Sequence, residues 1–375
     1  TQGLDKFQSQ AFETLTGGIS DAFDFTKEDA KLIERYDTSK LMDVSRISKR
    51  WNNRPRYTNH VNNLGKLMLL ARRLAERGAG FITVTTDFVW DMHADSNNAT
   101  LTEGMGYVVK ETFAVKIYWP PTRSNPSARG WTTWSTAAVD KRVVGIIPIV
   151  IDMLNTELSF EHHRAAYGYY AEAVNDYVEM NIMDWMGKPE FAKLRRIEDP
   201  YEYRERFTMP KLLLNSSGDQ FFLPDSWQFY WDDLKGPKHI RYVPNTGHGL
   251  RDSDAIDSLA GFYHSILNKT PLPRYEWNVS KTGAITVHTK DKPKEVRLWQ
   301  ATNPEVRDFR IDKLGPKWIS TRLKLTGNGT YTAHVSDPPK GWTAYMIELT
   351  FPGKLRPQKF TTGIVVTPKA LPFAK

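Results

Sequence analysis

The 375-residue chain is 40% apolar and 12% aromatic, sufficient to fill more than one core, which excludes a disordered chain. Its net charge of +8 is dispersed among alternating acids and bases, with no basic run or basic helix, so no nucleic-acid partner is expected. No cysteine is present, which removes disulfides, thiolate nucleophiles and cysteine metal sites together. The longest apolar stretch, Val143 to Leu154, is too short for a membrane span and carries Asp152.

Residues 1 to about 50 are polar and helical in tone, and are predicted to be peripheral. A stronger helix is predicted over His60 to Arg77, where Leu64, Leu67, Met68, Ala71 and Leu74 keep one apolar face and Gly78 and Gly80 end it. The β-branched run Phe81 to Thr86 then reads as a strand that delivers Asp87, Asp91, His93 and Asp95 at its end. Carboxylate and imidazole at Asp91 and His93 can both turn toward one divalent metal, though the same loop reads equally as a solvated turn.

The runs ERYDTSKL, NNLGKLMLLARRLAERGAGFITV and WDMHADSNNATLTEGM resemble an uncharacterised family of unknown function, grouped with the alkaline phosphatase and sulfatase superfamily. That resemblance covers residues 1–107 and implies a divalent-metal site with Asp91 and His93 among its ligands. The remaining ligands and the nucleophile of such a site have no counterparts in this segment.

From Thr112 the pattern changes. Thr112 to Trp119 alternates like a strand, Pro120 and Pro121 break it, and a turn-rich loop from Arg123 to Gly130 precedes a helix-like segment, Trp131 to Val139. A serine at a strand-turn-helix junction has the shape of a nucleophile elbow, with Ser127 as nucleophile and the Ala128 N–H as an oxyanion donor. Asn125 and Arg129 stand where such an elbow carries glycine, so Ser127 alone reads also as a loop serine. The apolar run Arg142 to Asn155 is predicted to be a strand buried on both faces, with Asp152 and Asn155 at its end. Phe160 to Met186 reads as an aromatic helical insert, a pocket roof or an ordinary core, and His162-His163 as a metal pair or a surface pair.

The stretch Met209 to Leu250 carries the most chemistry. Lys211 to Leu214 and His239 to Val243 read as neighbouring strands, with the helix-spaced segment Ser226 to Leu234 between them. Each strand ends on a loop with one titratable residue, Asp219 after the first and His248 after the second. An acid that orients a histidine acting as general base is the second half of a hydrolase triad. Turns at both places are the competing reading. A helix is predicted over Asp252 to Leu267, then a proline-marked linker, then short strands at Ile285 to Thr289, Glu295 to Trp299, Leu323 to Leu325, Thr330 to Val335, Ala344 to Phe351 and Gly363 to Thr367. Trp299, Trp318 and Trp342 are candidates for a glycan-binding face, or for core.

The runs SARGWTTWSTAAVDKRVVGIIPIVIDMLN, DPYEYRERFTMPKLLLNSSGDQFFLPDSWQFYWDDLKGPKHIRYVPNTGHGL, VRLWQATNPEVRDFRI and KFTTGIVVTP closely resemble the PhoPQ-activated pathogenicity-related protein family. That family is similar to α/β-hydrolases, and its serine lies in a Gly-X-Ser-Lys-Arg-Gly-Trp motif. The resemblance implies Ser127 as nucleophile, Asp219 as acid and His248 as base, with Asn125 in place of the glycine and Ala128 in place of the lysine. The strands that precede the elbow in that family are replaced here by the segment resembling the other one.

The expected fold class is therefore α/β: an α/β segment over 1–107, an α/β-hydrolase-like domain with helices on both faces of its sheet over 108–270, and an immunoglobulin-like β-sandwich over 271–375. The expected function is a serine hydrolase that cleaves a small-molecule or polymeric ester or amide without a cofactor. Two alternatives stand beside it: a non-catalytic binding or surface protein on a hydrolase scaffold, and a metal-dependent phosphate or sulfate ester hydrolase at Asp91 and His93. The resemblance implies a secreted or periplasmic protein. Thr1 opens without a signal-peptide pattern, so the sequence reads as a processed product or a piece of a longer chain.

Overall fold

The computed structural model describes residues 19–40, 54–77, 126–141 and 143–374. The chain divides into two compact units, residues 1–124 and 125–375. Among the described residues no helix is long and apolar enough to cross a membrane.

In the first unit a helix runs from Arg54 to Glu76, beginning six positions earlier than the apolar pattern predicts. Leu64 and Met68 pack on Tyr36, in the turn after the short helix Ala30–Arg35. Gly65 lets the two approach, since a Cβ there would lie 1.6 Å from the Tyr36 carbonyl oxygen. The buried Arg73 gathers the carbonyls of the turns at 19–27, donating from Nε to Ala22 (2.8 Å) and from Nη2 to Asp24 (2.9 Å). The predicted strand Phe81 to Thr86 and its metal-ligand loop lie outside the described residues.

The second unit is built on a seven-stranded sheet. Strands β1 (Lys211–Ser216) and β2 (Lys238–Val243) run parallel, in register from Lys211 opposite Lys238 to Ser216 opposite Val243. On the far side of β1 the chain at 146–150 also runs parallel, bridging at Ile146 and Ile149. The sequence predicts one continuous strand here, from Arg142 to Asn155. Only the middle of it is held, because Pro148 has no N–H to donate and Val150 turns into the left-handed region at φ 46°.

After β3 (Tyr275–Val279) and β4 (Ile285–Thr289), strands β5 (Glu295–Asn303), β6 (Ile319–Arg322), β7 (Thr330–Ala333), β8 (Trp342–Phe351), β9 (Gln358–Thr361) and β10 (Val365–Thr367) complete two sheets. The large sheet has the order β1-β2-β9-β8-β5-β6, with β10 beside β8, and the small one the order β3-β4-β7. Strand β2 meets β9 antiparallel at Ile240 and Thr361, and Tyr242 N–H donates to Thr361 Oγ1 (3.0 Å). Five strands after residue 270, β5, β6, β8, β9 and β10, thus share a sheet with β1 and β2.

Alternation along β8 explains the layering. Tyr345, Ile347 and Leu349 face a core shared with Ile285, Val287, Tyr331 and Ala333 of the small sheet. Ala344 and Met346 face the opposite way, into a core with Trp134, Phe160, Phe207 and Tyr230. A strand covered on both sides reads as a nearly continuous apolar run, and β8, interrupted by Thr343 and Glu348, is buried along almost its whole length. Two strands absent from the sequence reading, β3 and β9, are short and carry polar residues on one face. The strand predicted at Leu323 to Leu325 lies earlier, as β6.

The helical insert consists of helices Thr156–Tyr167, Asn175–Glu179 and Pro189–Glu198 with short 3-10 turns between and after them. The segment Ser226 to Leu234 forms a 3-10 turn, Ser226–Phe229, in place of the predicted helix. Trp227 Nε1 is held by the Ile364 carbonyl (2.7 Å) and the Phe229 carbonyl by Asn155 Nδ2 (3.0 Å), contacts that draw this short stretch out of helical register. Trp299, Trp318 and Trp342 do not make an exposed stripe. Trp318 is a member of the core and the other two pack against it.

Candidate functional site

The ends of β1 and β2 and the first residues of their loops are laced together. Ser216 Oγ donates to the Thr246 carbonyl (2.6 Å), Ser217 N–H to the Val243 carbonyl (3.1 Å), and Gly218 N–H to the Thr246 carbonyl (3.1 Å). Parallel pairing in register carries both strands to the same edge of the sheet, so their loops emerge side by side.

That placement brings Asp219 and His248 together across 29 residues of sequence. His248 Nδ1 lies 3.0 Å from Asp219 Oδ1 and 2.9 Å from Oδ2. The carboxylate is oriented by its own loop, since Oδ1 accepts from Phe221 N–H (2.8 Å). Both side chains are buried, and the Phe221 ring lies over the imidazole with centroids 4.2 Å apart. With Nδ1–H directed at a carboxylate, the neutral ring keeps its lone pair on Nε2. That atom is buried and has no hydrogen-bond partner among the described residues. A buried imidazole nitrogen of this kind can accept a proton from a group placed against it.

Ser127 lies in the first turn of the helix Pro126–Val139, so the helix begins before the serine and not at Trp131. Pro126 suits the first helical position, where no N–H is needed. The side chains of residues 126–129 lie outside the described residues. The Ala128 N–H belongs to the first turn of this helix, whose N–H groups have no acceptor within the helix. The helix is fixed at Gly130 and beyond: a Cβ on Gly130 would fall 2.3 Å from Ile151 Cγ2, Trp131 Nε1 donates to the Met153 carbonyl (3.2 Å), and the buried Trp134 packs on Phe207.

Asp91 and His93 lie outside the described residues. Among the described residues no group of three or more His, Asp or Glu side chains could hold a metal ion. The His162-His163 pair is neither a metal pair nor a surface pair. His162 Nε2 pairs with Asp225 Oδ2 (3.0 Å), whereas the buried His163 accepts the Ala171 N–H on Nε2 (3.0 Å). Burial pushes the His163 ring down to about 3.

Two buried carboxylates near this edge were not assigned by the sequence reading. Asp152 accepts from the hydroxyls of Tyr230 and Tyr242, the latter at 2.6 Å, and burial pushes its carboxyl up to about 7. Burial acts in the same direction on Asp225. There the Arg307 guanidinium at 2.5 Å and His162 outweigh it and hold the carboxyl below the usual range. Position at a strand end marked Asp152 in the sequence, but its phenol partners stand 78 and 90 residues away, beyond any spacing rule.

Comparison with known proteins also divides the chain in two, close to the structural division. The family described as PhoPQ-activated pathogenicity-related protein matches residues 122–310, and a family described as protein of unknown function matches residues 1–106. The chain is also similar to Autocrine proliferation repressor protein A of Dictyostelium discoideum, at 34% identity over 275 residues that cover 66% of this chain and 56% of that one. The chain thus spans about half the length of that curated relative.

Proposed function

Since the chain belongs to the PhoPQ-activated pathogenicity-related protein family, we propose that its 125–375 unit is a serine hydrolase acting on an ester or amide. The observation that supports this most is the buried Asp219–His248 pair with Nε2 unpartnered among the described residues. In the proposed mechanism Ser127 Oγ attacks the substrate carbonyl carbon as its proton passes to His248 Nε2. Asp219 keeps Nδ1–H directed away and stabilises the imidazolium by charge. The carbonyl oxygen, now an anion, accepts from the Ala128 N–H. Collapse expels the alcohol or amine, which takes the proton back from Nε2. Water then enters and attacks the acyl carbon as it gives a proton to the same nitrogen; the second collapse breaks the bond to Ser127 Oγ, which takes that proton back from Nε2, and the acid is released. All steps run on one imidazole and need no cofactor.

The test is labelling with a fluorophosphonate, which reacts only with an activated serine. The native chain is expected to be labelled at Ser127, and Ser127→Ala and His248→Ala to lose the label. A folded native chain that stays unlabelled would overturn the proposal and favour a scaffold that binds without turnover. Activity on phosphate or sulfate esters that a chelator abolishes would instead direct attention to Asp91 and His93.

A further inference from the structure

The loop that carries His248 has little stiffness of its own. It spans Pro244 to Leu250, has no regular structure, and two of its residues, Asn245 and Leu250, sit at φ 57° and 50°. Yet Nε2 must be held to a fraction of an ångström if it is to exchange a proton with a reacting atom.

Bracing beyond that given by the acid loop comes from residues 311–318, just past the family match. Asn245 Nδ2 donates to the Trp318 carbonyl (2.9 Å) and Asn245 Oδ1 accepts the Trp318 N–H (2.9 Å), so one side-chain amide bonds both ways with one backbone residue. Trp318 is itself buried in the core. Ile311 N–H donates to the Gly218 carbonyl (2.9 Å), one residue before the acid. The Ile311 side chain fills the space beside both loops, and a Cβ on Gly218 or Gly247 would lie 3.1 Å from its Cβ or 2.8 Å from its Cγ2. The neighbouring Arg310 fixes this segment from the other side through Asp308, Glu172 (2.9 Å) and Tyr169 (2.6 Å). Finally, Gln220, next to the acid, accepts the His248 N–H on Oε1 (2.9 Å).

We infer that Asn245 and Gln220 are positioning residues for His248, acting with the segment Ile311 to Trp318 as a clamp across the acid and histidine loops. The geometry stands by itself; its catalytic consequence rests on the hydrolase reading. Asn245 takes the left-handed backbone position, which glycine would also fill, and adds the amide that glycine lacks. Asn245→Gly therefore removes the clamp and keeps the turn. Gln220→Met removes the acceptor at similar volume, and Gln220→Glu keeps it.

Two readouts test the clamp in the full chain: the far-downfield Nδ1–H proton resonance of His248, and the rate of fluorophosphonate labelling at Ser127. Asn245→Gly and Gln220→Met are expected to retain the native circular dichroism, to lose the resonance through faster exchange with water, and to label about tenfold more slowly or worse, as displacements of an ångström do. Gln220→Glu is expected to keep both signals. Native resonance and native labelling in Asn245→Gly and Gln220→Met would overturn the inference. Should Asn245→Gly not fold, the Gln220 pair decides by the same readouts. If the native chain resists the probe, the hydrolase reading falls, and the resonance alone decides for or against the clamp.

Discussion

His248 divides its two ring nitrogens between unlike surroundings, and the carboxylates around it do the same with their partners. Asp219 receives an imidazole and a backbone N–H, Asp225 a guanidinium and an imidazole, and Asp152 two phenols. The phenols offset desolvation only in part, whereas the charged partners outweigh it, which is why Asp152 is pushed up to about 7 and Asp225 is held low. The sign for stability follows. A carboxyl with its ordinary value near 3.8 in the unfolded chain and about 7 in the fold binds its proton more tightly when folded. Its contribution is complete below the unfolded value and is lost as pH rises through the folded one. Stability is thus expected to fall between pH 4 and pH 7 by about 1.4 kcal/mol per pH unit from this group. Asp152→Asn should flatten that slope, as read from urea midpoints across the range. An unchanged slope in the variant would assign the pH dependence to other groups. Asp219 and His248 were legible in the sequence because each follows an apolar strand and a turn. Asn245 and Gln220 were not, since nothing local separates a clamping amide from an ordinary turn amide.

At the level of elements, the helix that begins at Pro126 illustrates how packing overrides propensity. Replacing a helical glycine by alanine ordinarily adds about 1 kcal/mol of stability. At Gly130 the added carbon would meet Ile151 Cβ at 2.5 Å, an atom next to the backbone that no rotamer can move. Gly130→Ala is therefore expected to destabilise the unit by about 1–3 kcal/mol, measurable by denaturant titration. A stabilised variant would mean that the helix does not approach the chain at 146–151 as described. The sequence pattern foresaw β1 and β2 well, as apolar runs closed by turns. It misread Ser226 to Leu234, where apolar spacing was right for a helix but Trp227 and the Phe229 carbonyl are bound elsewhere. It also overextended the strand at 142–155, where Pro148 and the left-handed Val150 confine ladder pairing to the middle.

For the whole molecule, the division after residue 124 falls within three residues of the start of the second family match, 122–310, and well past the end of the first, 1–106. Within the second unit the sheet runs through from β1 to β6, and one core takes side chains from Trp134 as well as from Met346 and Val366. Strands that share a sheet and a core should unfold as one cooperative body. Hydrogen exchange is expected to give β2 and β8 the same dependence on denaturant. Separate transitions would mean that the two sets of strands are stable independently. This continuity was not legible in the sequence, where the proline-marked linker at 269–274 reads as a boundary. Pairing between residues 240 and 361 is set by the fold and leaves no mark in either local pattern.

That same pairing has a consequence for biogenesis. A chain emerging from a ribosome presents Asp219 and His248 long before Trp318 and Thr361, the residues that brace the histidine loop and close the sheet beside β2. Throughout that interval the two loops lack their contacts to Ile311 and Trp318, and β2 lacks its neighbour β9. The acid and histidine loops therefore gain the last of their contacts only late in translation, when the segment from Ile311 to Trp318 and then β9 have been made.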